Sequence, residues 1–458
     1  MAYVILLVFV IGYLMITLEH PLKLDKAVSA LLMGTLVWAL LALGFNEGWL
    51  SVINSHGEIF SIGQGEKVSQ NAGFYQVLMH HFNGIGEVLF FLIGAMTIVE
   101  IVDLHRGFDI IKNNITTKSK IKLLWTLSIL AFFLSAVIDN LTSTIILISV
   151  LRKLVPRVKF RIWFAAFVVI AANAGGAWSP IGDVTTTMLW IANKITAYHV
   201  IIYVFLPAVV CLLVPLLIAS RLKAFKGDVP RKIVIVDEAS ERLLSSKAML
   251  YTGLGAIAFV PIFKTVTGLP PYMGMMLSLG VVWLVSEYIR PEKNLTPAKR
   301  REYSAHKALS KIEFSSILFF LGILLAVAGL ESMVFGQIDN AQVGTLQYVA
   351  ESLTLAIPNM EVIAIILGGL SAVVDNVPLV AASIAMFDFP IDDSLWHLIA
   401  YTTGTGGSML IIGSAAGVAA MGMEKIDFIW YLKNITLLAL AGFLVGALVF
   451  ILQFKFIF

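Results

Sequence analysis

The sequence predicts an all-α polytopic membrane protein made of two inverted repeats, each with five transmembrane helices, a re-entrant hairpin and a broken helix. Three observations carry this expectation. The 458 residues are 59% hydrophobic and 13% charged, about half the charge of a soluble domain. The apolar residues fall in runs of membrane-spanning length. Several motifs also occur twice: Ser135-Ala-Val-Ile-Asp-Asn140 returns as Ser371-Ala-Val-Val-Asp-Asn376, and Leu89-Phe-Phe-Leu92 as Leu318-Phe-Phe-Leu321. Ala174-Gly-Gly-Ala177 and Gly182 return, at one constant spacing, as Thr405-Gly-Gly-Ser408 and Gly413.

The apolar runs lie at about 2–18, 27–44, 85–102, 123–151, 162–191, 200–220, 248–266, 272–289, 314–335, 360–387, 397–423 and 429–454. The first has no basic residue before it and no small-residue cleavage pattern, so it reads as an uncleaved span. Run 123–151 is flanked by Lys118, Lys120 and Lys122 before it and by Arg152, Lys153, Arg157, Lys159 and Arg161 after it. Basic clusters mark the cytoplasmic side, and the run is too short for two crossings of ~20 residues. A hairpin entering and leaving from inside fits both facts. Run 360–387 mirrors it, with Glu351, Glu361, Asp388, Asp392 and Asp393 around it and no Lys or Arg between Gln337 and Asp393. It reads as a hairpin from outside.

The other runs cross once each. With both termini on the outer (periplasmic) side, all but Lys67, Lys194, Lys264 and Lys455 of the 32 Lys and Arg residues collect inside. The repeats then occupy 1–222 and 248–458, joined by a charged cytoplasmic linker at 223–247. An odd number of crossings per half inverts the second against the first. The stretch Asn46 to Gly84, with His56, His80 and His81, reads as an outer-surface helix and turn. His105 sits beside Glu100 and Asp103 near the inner surface. The lone Cys211 excludes an intrachain disulfide, and nothing in the sequence suggests a cysteine-based metal site. A net charge of +3 without a basic domain gives no sign of nucleic-acid binding.

Midway along 162–191 stands Asn173-Ala-Gly-Gly-Ala-Trp-Ser-Pro-Ile-Gly-Asp183, followed by Val184-Thr185-Thr186-Thr187. Glycines weaken a helix, and Pro180 removes an amide donor and clashes with the preceding turn. Broken backbone at membrane depth survives only where protein buries it or a watery cavity reaches it. Unwinding frees carbonyl oxygens and helix ends that can hold an ion. A kink for close packing would explain one such residue. Asn173, Ser179, Asp183 and Thr185 to Thr187 at one depth point instead to a site.

Asp139, Asp183 and Asp375 are the carboxylates left at mid-membrane, with Glu87 and Glu100 nearer the ends of the third span. Each ionised Asp there costs roughly 2.5–3.5 kcal/mol, and three together roughly 8–10 kcal/mol before repulsion. No Lys or Arg lies within 123–151, 162–191, 360–387 or 397–423. Bound protons, bound cations, or each in turn must therefore neutralise them. The surrounding donors are all oxygens, which suits Na⁺ and not a soft metal. The hairpin tips supply Asp139, Asn140, Thr142 and Ser143, then Asp375, Asn376 and Pro378. The broken crossings supply Asn173, Ser179, Asp183, Thr185 and Thr186 against Thr402, Thr403, Thr405, Ser408 and Ser414. Ser414 stands where the first half has Asp183, so the Na⁺ is expected nearer the first half, among Asp139, Asn173, Asp183 and Asp375. Any single hydroxyl has a bland alternative, a bond to its own i−4 carbonyl.

The Asn173–Thr187 stretch, the paired Ser-Ala-Val-x-Asp-Asn motifs and Gly404-Thr-Gly-Gly-Ser408 resemble the NhaD-type sodium/proton antiporters. These belong to the ion-transporter superfamily, beside citrate, dicarboxylate and arsenite carriers. The resemblance covers nearly the whole chain. It implies a secondary transporter, without catalytic groups or cofactors, exchanging Na⁺ and often Li⁺ for H⁺. It further implies a scaffold and a transport domain, a homodimer in the lipid bilayer of a plasma (bacterial inner) membrane, and a role in pH homeostasis. The implied ion and proton positions are Asp139, Asn140, Asn173, Asp183, Thr185, Thr186, Asp375 and Asn376, with Ser135 and Ser371 supporting the hairpins and Glu100 in generic surroundings. The Asn-Thr pairs that bind carboxylate substrates in the dicarboxylate branch are Asp-Asn here, which favours cations.

Two rivals remain. A dicarboxylate or other anion carrier of this architecture should show a basic residue or carboxylate-binding helix ends in the pocket, and no basic residue lies in the hairpin or broken-helix runs. An intramembrane aspartyl protease requires Gly-x-Gly-Asp, and Pro180 occupies the first glycine; proteolysis also leaves the repeat unexplained. A channel accounts poorly for two re-entrant tips meeting at one site.

Overall fold

A computed structural model describes residues 1–54, 57–62, 67–110, 115, 117–229, 244–289, 303–338, 341–373 and 375–458, the side chains of 20, 21, 67–70 and 153 excepted. His56, most of the expected linker (230–243) and the basic residues Lys112, Arg231, Lys232, Arg242, Arg290, Lys293, Lys299, Arg300 and Arg301 lie outside the described residues.

The described chain is nearly all helical. In order come α1 (Ala2–Thr17), α2 (Glu19–Leu22), α3 (Lys26–Asn46), strands β1 (Val52–Ile53) and β2 (Ile59–Phe60), and α4 (Lys67–Leu104). Then follow α5 (Lys120–Ile138), α6 (Asn140–Leu154), α7 (Val158–Gly176), α8 (Val184–Ile191), α9 (Ala197–Arg221), α10 (Ser246–Thr267), α11 (Pro271–Tyr288), α12 (Ala305–Leu309) and α13 (Phe314–Ser332). After strands β3 (Val334–Ile338) and β4 (Ala341–Gly344) come α14 (Thr345–Ala356), α15 (Met360–Leu370), α16 (Asn376–Met386), α17 (Ser394–Gly406), α18 (Ala415–Glu424), α19 (Phe428–Asn434) and α20 (Thr436–Phe456). Among the described residues eight helices are long and apolar enough to cross a membrane, and α14 with α15 forms a further apolar pair bent by 116°. The protein is a multi-pass membrane protein.

Several boundaries differ from the expectation. The segment read as a surface helix and turn is a short β1–β2 hairpin followed by α4, which runs unbroken for 38 residues into the membrane run. Hydropathy reports depth in lipid, and a polar helix that continues an apolar one is invisible to it. The 123–151 run takes its basic flanks into helix, giving limbs of 19 and 15 residues that meet at Asp139. The last run breaks at Ile435, between α19 and α20.

Contacts divide the chain into two units, each drawn from both halves of the sequence. The first comprises Met1–Leu89, Glu313–Ile363 and Val377–Pro390. Its core is α13 against α3, where Trp38 Nε1 donates to the Leu325 carbonyl at 2.9 Å. Asp25 caps α3 by accepting from Ala27 N and also accepts from Ser315 Oγ at 2.6 Å. The second unit comprises Phe90–Ile312, Ala364–Asn376 and Ile391–Phe458. Its axis is α7, buried at every residue from Phe164 to Gly176 and packed by α5, α6, α9, α17 and α18. A helix apolar on all sides belongs in the middle of a bundle, and the alanines at 165, 166, 171, 172 and 174 let neighbours approach closely. Helix α17 is buried in the same way from Leu395 to Gly406.

At the end of α4, His105 is fully buried, with Nδ1 2.8 Å from Ser245 Oγ and Nε2 2.9 Å from Ser286 Oγ. Burial disfavours the charged ring and pushes its pKa down to about 4.

Candidate functional site

The site is built where α7 and α17 stop. Helix α7 ends at Gly176, the chain turns through Ala177 to Gly182, and Asp183 opens α8 by accepting from Thr185 N. Helix α17 ends at Gly406, and Ser414 opens α18 by accepting from Gly417 N. A hairpin tip sits on each break. Ser135 Oγ donates to the Ala172 carbonyl at 2.6 Å, and Ser371 Oγ donates to the Thr403 carbonyl at 2.8 Å. Close approach explains the glycines that follow: a Cβ on Gly182 would lie 2.8 Å from the Ser135 carbonyl oxygen, and one on Gly413 would lie 2.6 Å from that of Ser371.

Asp183 is the hub, with 2% of its surface exposed. Its Oδ1 accepts from the backbone N and Oγ1 of Thr185, both at 2.9 Å. Its Oδ2 accepts from Asn140 Nδ2 at 2.5 Å, and Asn376 Nδ2 lies 3.4 Å from both oxygens. Asn140 Nδ2 also donates to Asn173 Oδ1 at 3.2 Å, and Asn173 Nδ2 donates to Ser414 Oγ at 2.9 Å. One continuous chain of bonds thus joins both breaks and both tips. The carboxylate sits at the N-terminus of α8, the favourable end of the helix dipole. Among the described residues, every hydrogen-bond donor to it is neutral.

The other expected residues divide into two groups. Asp139 and Asp375 are half-buried, each within Coulombic reach of Asp183. Asp139 has φ 93° and ψ 160°, a conformation close to glycine-only. Its carboxylate turns back onto α6, accepting from Thr142 N and Thr142 Oγ1 at 2.8 Å each, so it caps that helix outside the Asp183 hydrogen-bond chain. Thr186 Oγ1 donates to the Asp183 carbonyl, Thr405 Oγ1 to that of Tyr401 and Ser408 Oγ to that of Thr405. Ser179 Oγ accepts from Ile181 N at 3.4 Å. These hydroxyls hold the breaks in shape. Glu100, on α4, has Asp103 and Lys311 as its charged neighbours and, among the described residues, is not one of the hydrogen-bond partners of Asp183.

Two acidic clusters escaped the sequence reading. Glu424, whose side chain is fully buried, is paired with Arg152 and Arg161; the only hint was an acid beside Lys425 and a basic flank far away in sequence. Asp392 accepts from Thr196 N at 2.7 Å and lies 2.9 Å from His199 Nδ1 and 3.3 Å from His397 Nε2. Burial pushes the Asp392 carboxyl up, but the adjacent His397 ring, hydrogen bonding from Thr196 and the charge of His199 outweigh it and bring it down to about 2. Among the described residues no group of three or more His, Cys, Asp or Glu is arranged to hold a metal ion.

Residues 5–397 match the family described as citrate transporter (CitMHS). The chain is 44% identical over 445 residues to sodium/proton antiporter 1 of Arabidopsis thaliana, covering 96% of this chain and 70% of that one. It is 41% identical over 457 residues to sodium/proton antiporter 2 of the same plant, covering 98% and 99%. It is 30% identical over 475 residues to the Na⁺/H⁺ antiporter NhaD of Vibrio cholerae, covering 98% and 91%. The YdaH transporter of Alcanivorax borkumensis shares the fold, with a TM-score of 0.58 at 13% identity over 94% of this chain and 98% of that one. With a family match over most of its length and sodium/proton antiporters 30–44% identical over nearly the whole chain, the chain belongs to the citrate-transporter family, among its NhaD-type sodium/proton antiporters.

Proposed function

We propose that the protein exchanges Na⁺ for H⁺ across the membrane by making the two compete for Asp183. One observation carries this reading: a carboxylate that is 2% exposed and whose hydrogen-bond donors, among the described residues, are all neutral. Those donors lower the cost of burying the charge without cancelling it. A proton removes the charge and Na⁺ balances it. Both need the same oxygens, so loading one ion expels the other. If only loaded forms alternate between the two faces, entry of one ion is tied to exit of the other. For Na⁺ the ligand set is Asp183 with Asn140, Asn173, Asn376 and Thr185, all able to offer oxygen. The amides that now donate N–H to Asp183 turn their carbonyl oxygens toward the cation. Asp139 and Asp375 add negative potential from the hairpin tips. Li⁺, a smaller hard ion, fits the same donors.

The protein's organisation is read in the same way. Residues 1–222 and 248–458 form two inverted repeats around the linker 223–247, with both termini on the outer side. The matched bonds Ser135 to Ala172 and Ser371 to Thr403, and the matched helix caps Asp183 and Ser414, support the repeat; the distribution of Lys and Arg supports the orientation. The protein works as a homodimer in a plasma (bacterial inner) membrane, as the family resemblance implies. An acidic centre repels citrate, so the anion branch is disfavoured.

The test is ΔpH in everted vesicles, read with a quenched dye while NaCl, LiCl, KCl and citrate are added in turn. Na⁺ and Li⁺ dissipate the gradient, citrate does not, and Asp183→Asn abolishes the response. Undiminished exchange by Asp183→Asn would falsify the reading.

A further inference from the structure

Three helices that carry site residues converge again at their far ends. Helix α6 begins with Asn140 and carries Arg152; α7 carries Asn173 and, near its start, Arg161; α18 is capped by Ser414 and ends with Glu424. At 1.5 Å per residue, each arginine lies about 18 Å along its helix from the site residue, and Glu424 about 15 Å from Ser414. The Glu424 carboxylate divides its oxygens between them. Arg152 Nε donates to Oε1 at 2.8 Å and Arg161 Nε to Oε2 at 2.5 Å. Arg152 also donates to the Met423 carbonyl, and Arg161 Nη1 donates to those of Val155 and Pro156. The Glu424 side chain is 0% exposed, that of Arg161 13% and that of Arg152 44%.

We propose that Arg152, Arg161 and Glu424 form a positioning clamp that sets Asn140, Asn173 and Ser414 at the spacing Na⁺ needs. The proposal rests on the Asp183-centred site above. A helix is a stiff rod, so fixing its far end fixes the tilt at its near end. A tilt of roughly 3° over about 18 Å moves the near end by about 1 Å, enough to spoil ion coordination. Each rod is also held at the site, where Asn140 bonds Asn173 and Asn173 bonds Ser414. Pinning at both ends joins the two breaks into one rigid body. Arginine does not lose its proton under working conditions, so two fixed positive charges face the one buried carboxylate.

The experiment measures Na⁺-driven proton movement in proteoliposomes holding equal amounts of folded full-length protein: wild type, Glu424→Gln, Arg152→Gln, Arg152→Lys and Asp183→Asn. Outer partners of metal ligands typically alter affinity 10–100-fold. The expected result is a KM for Na⁺ raised roughly tenfold in Glu424→Gln and Arg152→Gln, with kcat within about twofold and an intermediate KM in Arg152→Lys. A purely structural ion pair would lower the yield of folded protein and leave KM alone. If Glu424→Gln does not insert, the half-exposed Arg152 decides: a wild-type KM in Arg152→Gln, with Asp183→Asn inactive, overturns the clamp. Exchange by Asp183→Asn would overturn the site reading instead.

Discussion

Gly182→Ala tests how closely the hairpin tip must approach the break. The added Cβ would lie 2.8 Å from the Ser135 carbonyl oxygen, 2.9 Å from Ala136 Cα and 2.9 Å from Gly176 Cα. All three are backbone atoms, so no side chain can swing away. Comfortable carbon contacts start near 3.5 Å, so the tip has to retreat by about 0.6 Å or more. Overpacking of this kind costs about 1–3 kcal/mol of stability. The functional cost is larger, because Gly182 adjoins Asp183 and the tip carries Asn140. Displacements approaching 1 Å cost roughly 100-fold in precisely oriented sites. Na⁺-dependent ΔpH dissipation in everted vesicles, normalised to membrane protein, should fall roughly 10- to 100-fold. Gly422→Ala is the control: it lies in α18 with nothing within 4 Å of its added Cβ. It should transport as wild type and gain up to about 1 kcal/mol from helix propensity. Gly182→Ala working within twofold of wild type at equal expression would refute the argument from close approach.

Two further outcomes follow from the placement of charged groups. Because Asp139 caps α6 and leaves the Asp183 hydrogen-bond chain to Asn140, Asp139→Asn should keep the cap and retain exchange at weakened Na⁺ affinity, while Asp139→Ala also loses about 1 kcal/mol of stability. Asp139→Asn as inactive as Asp183→Asn would show that Asp139 ligates the ion directly. His105 is held neutral by burial, its pKa pushed down to about 4 from 6.5. Its contribution is therefore complete above pH 6.5 and fades as the pH falls toward 4, by about 3 kcal/mol in total. Thermal unfolding in detergent at pH 7.5 and pH 4.5 should show this acid loss in wild type and a smaller one in His105→Asn; equal losses would remove His105 as its source.

The positions of the breaks and tips were legible because local chemistry marks them. Pro180, Gly182 and Gly413 stand inside apolar runs where a helix has no other use for them, and Asp139 and Asp183 each precede a short polar turn. The division of labour between those acids was not legible. It depends on which backbone amide each carboxylate meets, Thr142 N for one and Thr185 N for the other, and on whether an asparagine from another element arrives as well. The Glu424 clamp was hidden for a related reason: Arg152 and Arg161 serve equally as topology markers, and hydropathy cannot tell a solvated arginine from one that closes on a buried acid.

The difference between Asp183 and Ser414 has a physical logic that runs through both halves. The two residues open equivalent helices and lie at opposite ends of the Asn140–Asn173 relay. A second aspartate at 414 would place two carboxylates on one pair of amides, and the shell would then need two counter-charges at once. With a hydroxyl there, Asn173 keeps an acceptor and the relay keeps a single negative charge. One charge can be met by one proton or one Na⁺, which is the condition for exclusive competition. On this argument Ser414→Asp should break the competition while leaving the fold intact: in proteoliposomes, Na⁺ addition would bind without releasing protons in proportion. Unaltered Na⁺-induced proton release from a folded Ser414→Asp protein would show that the second half's hydroxyl has no part in keeping the two ions exclusive.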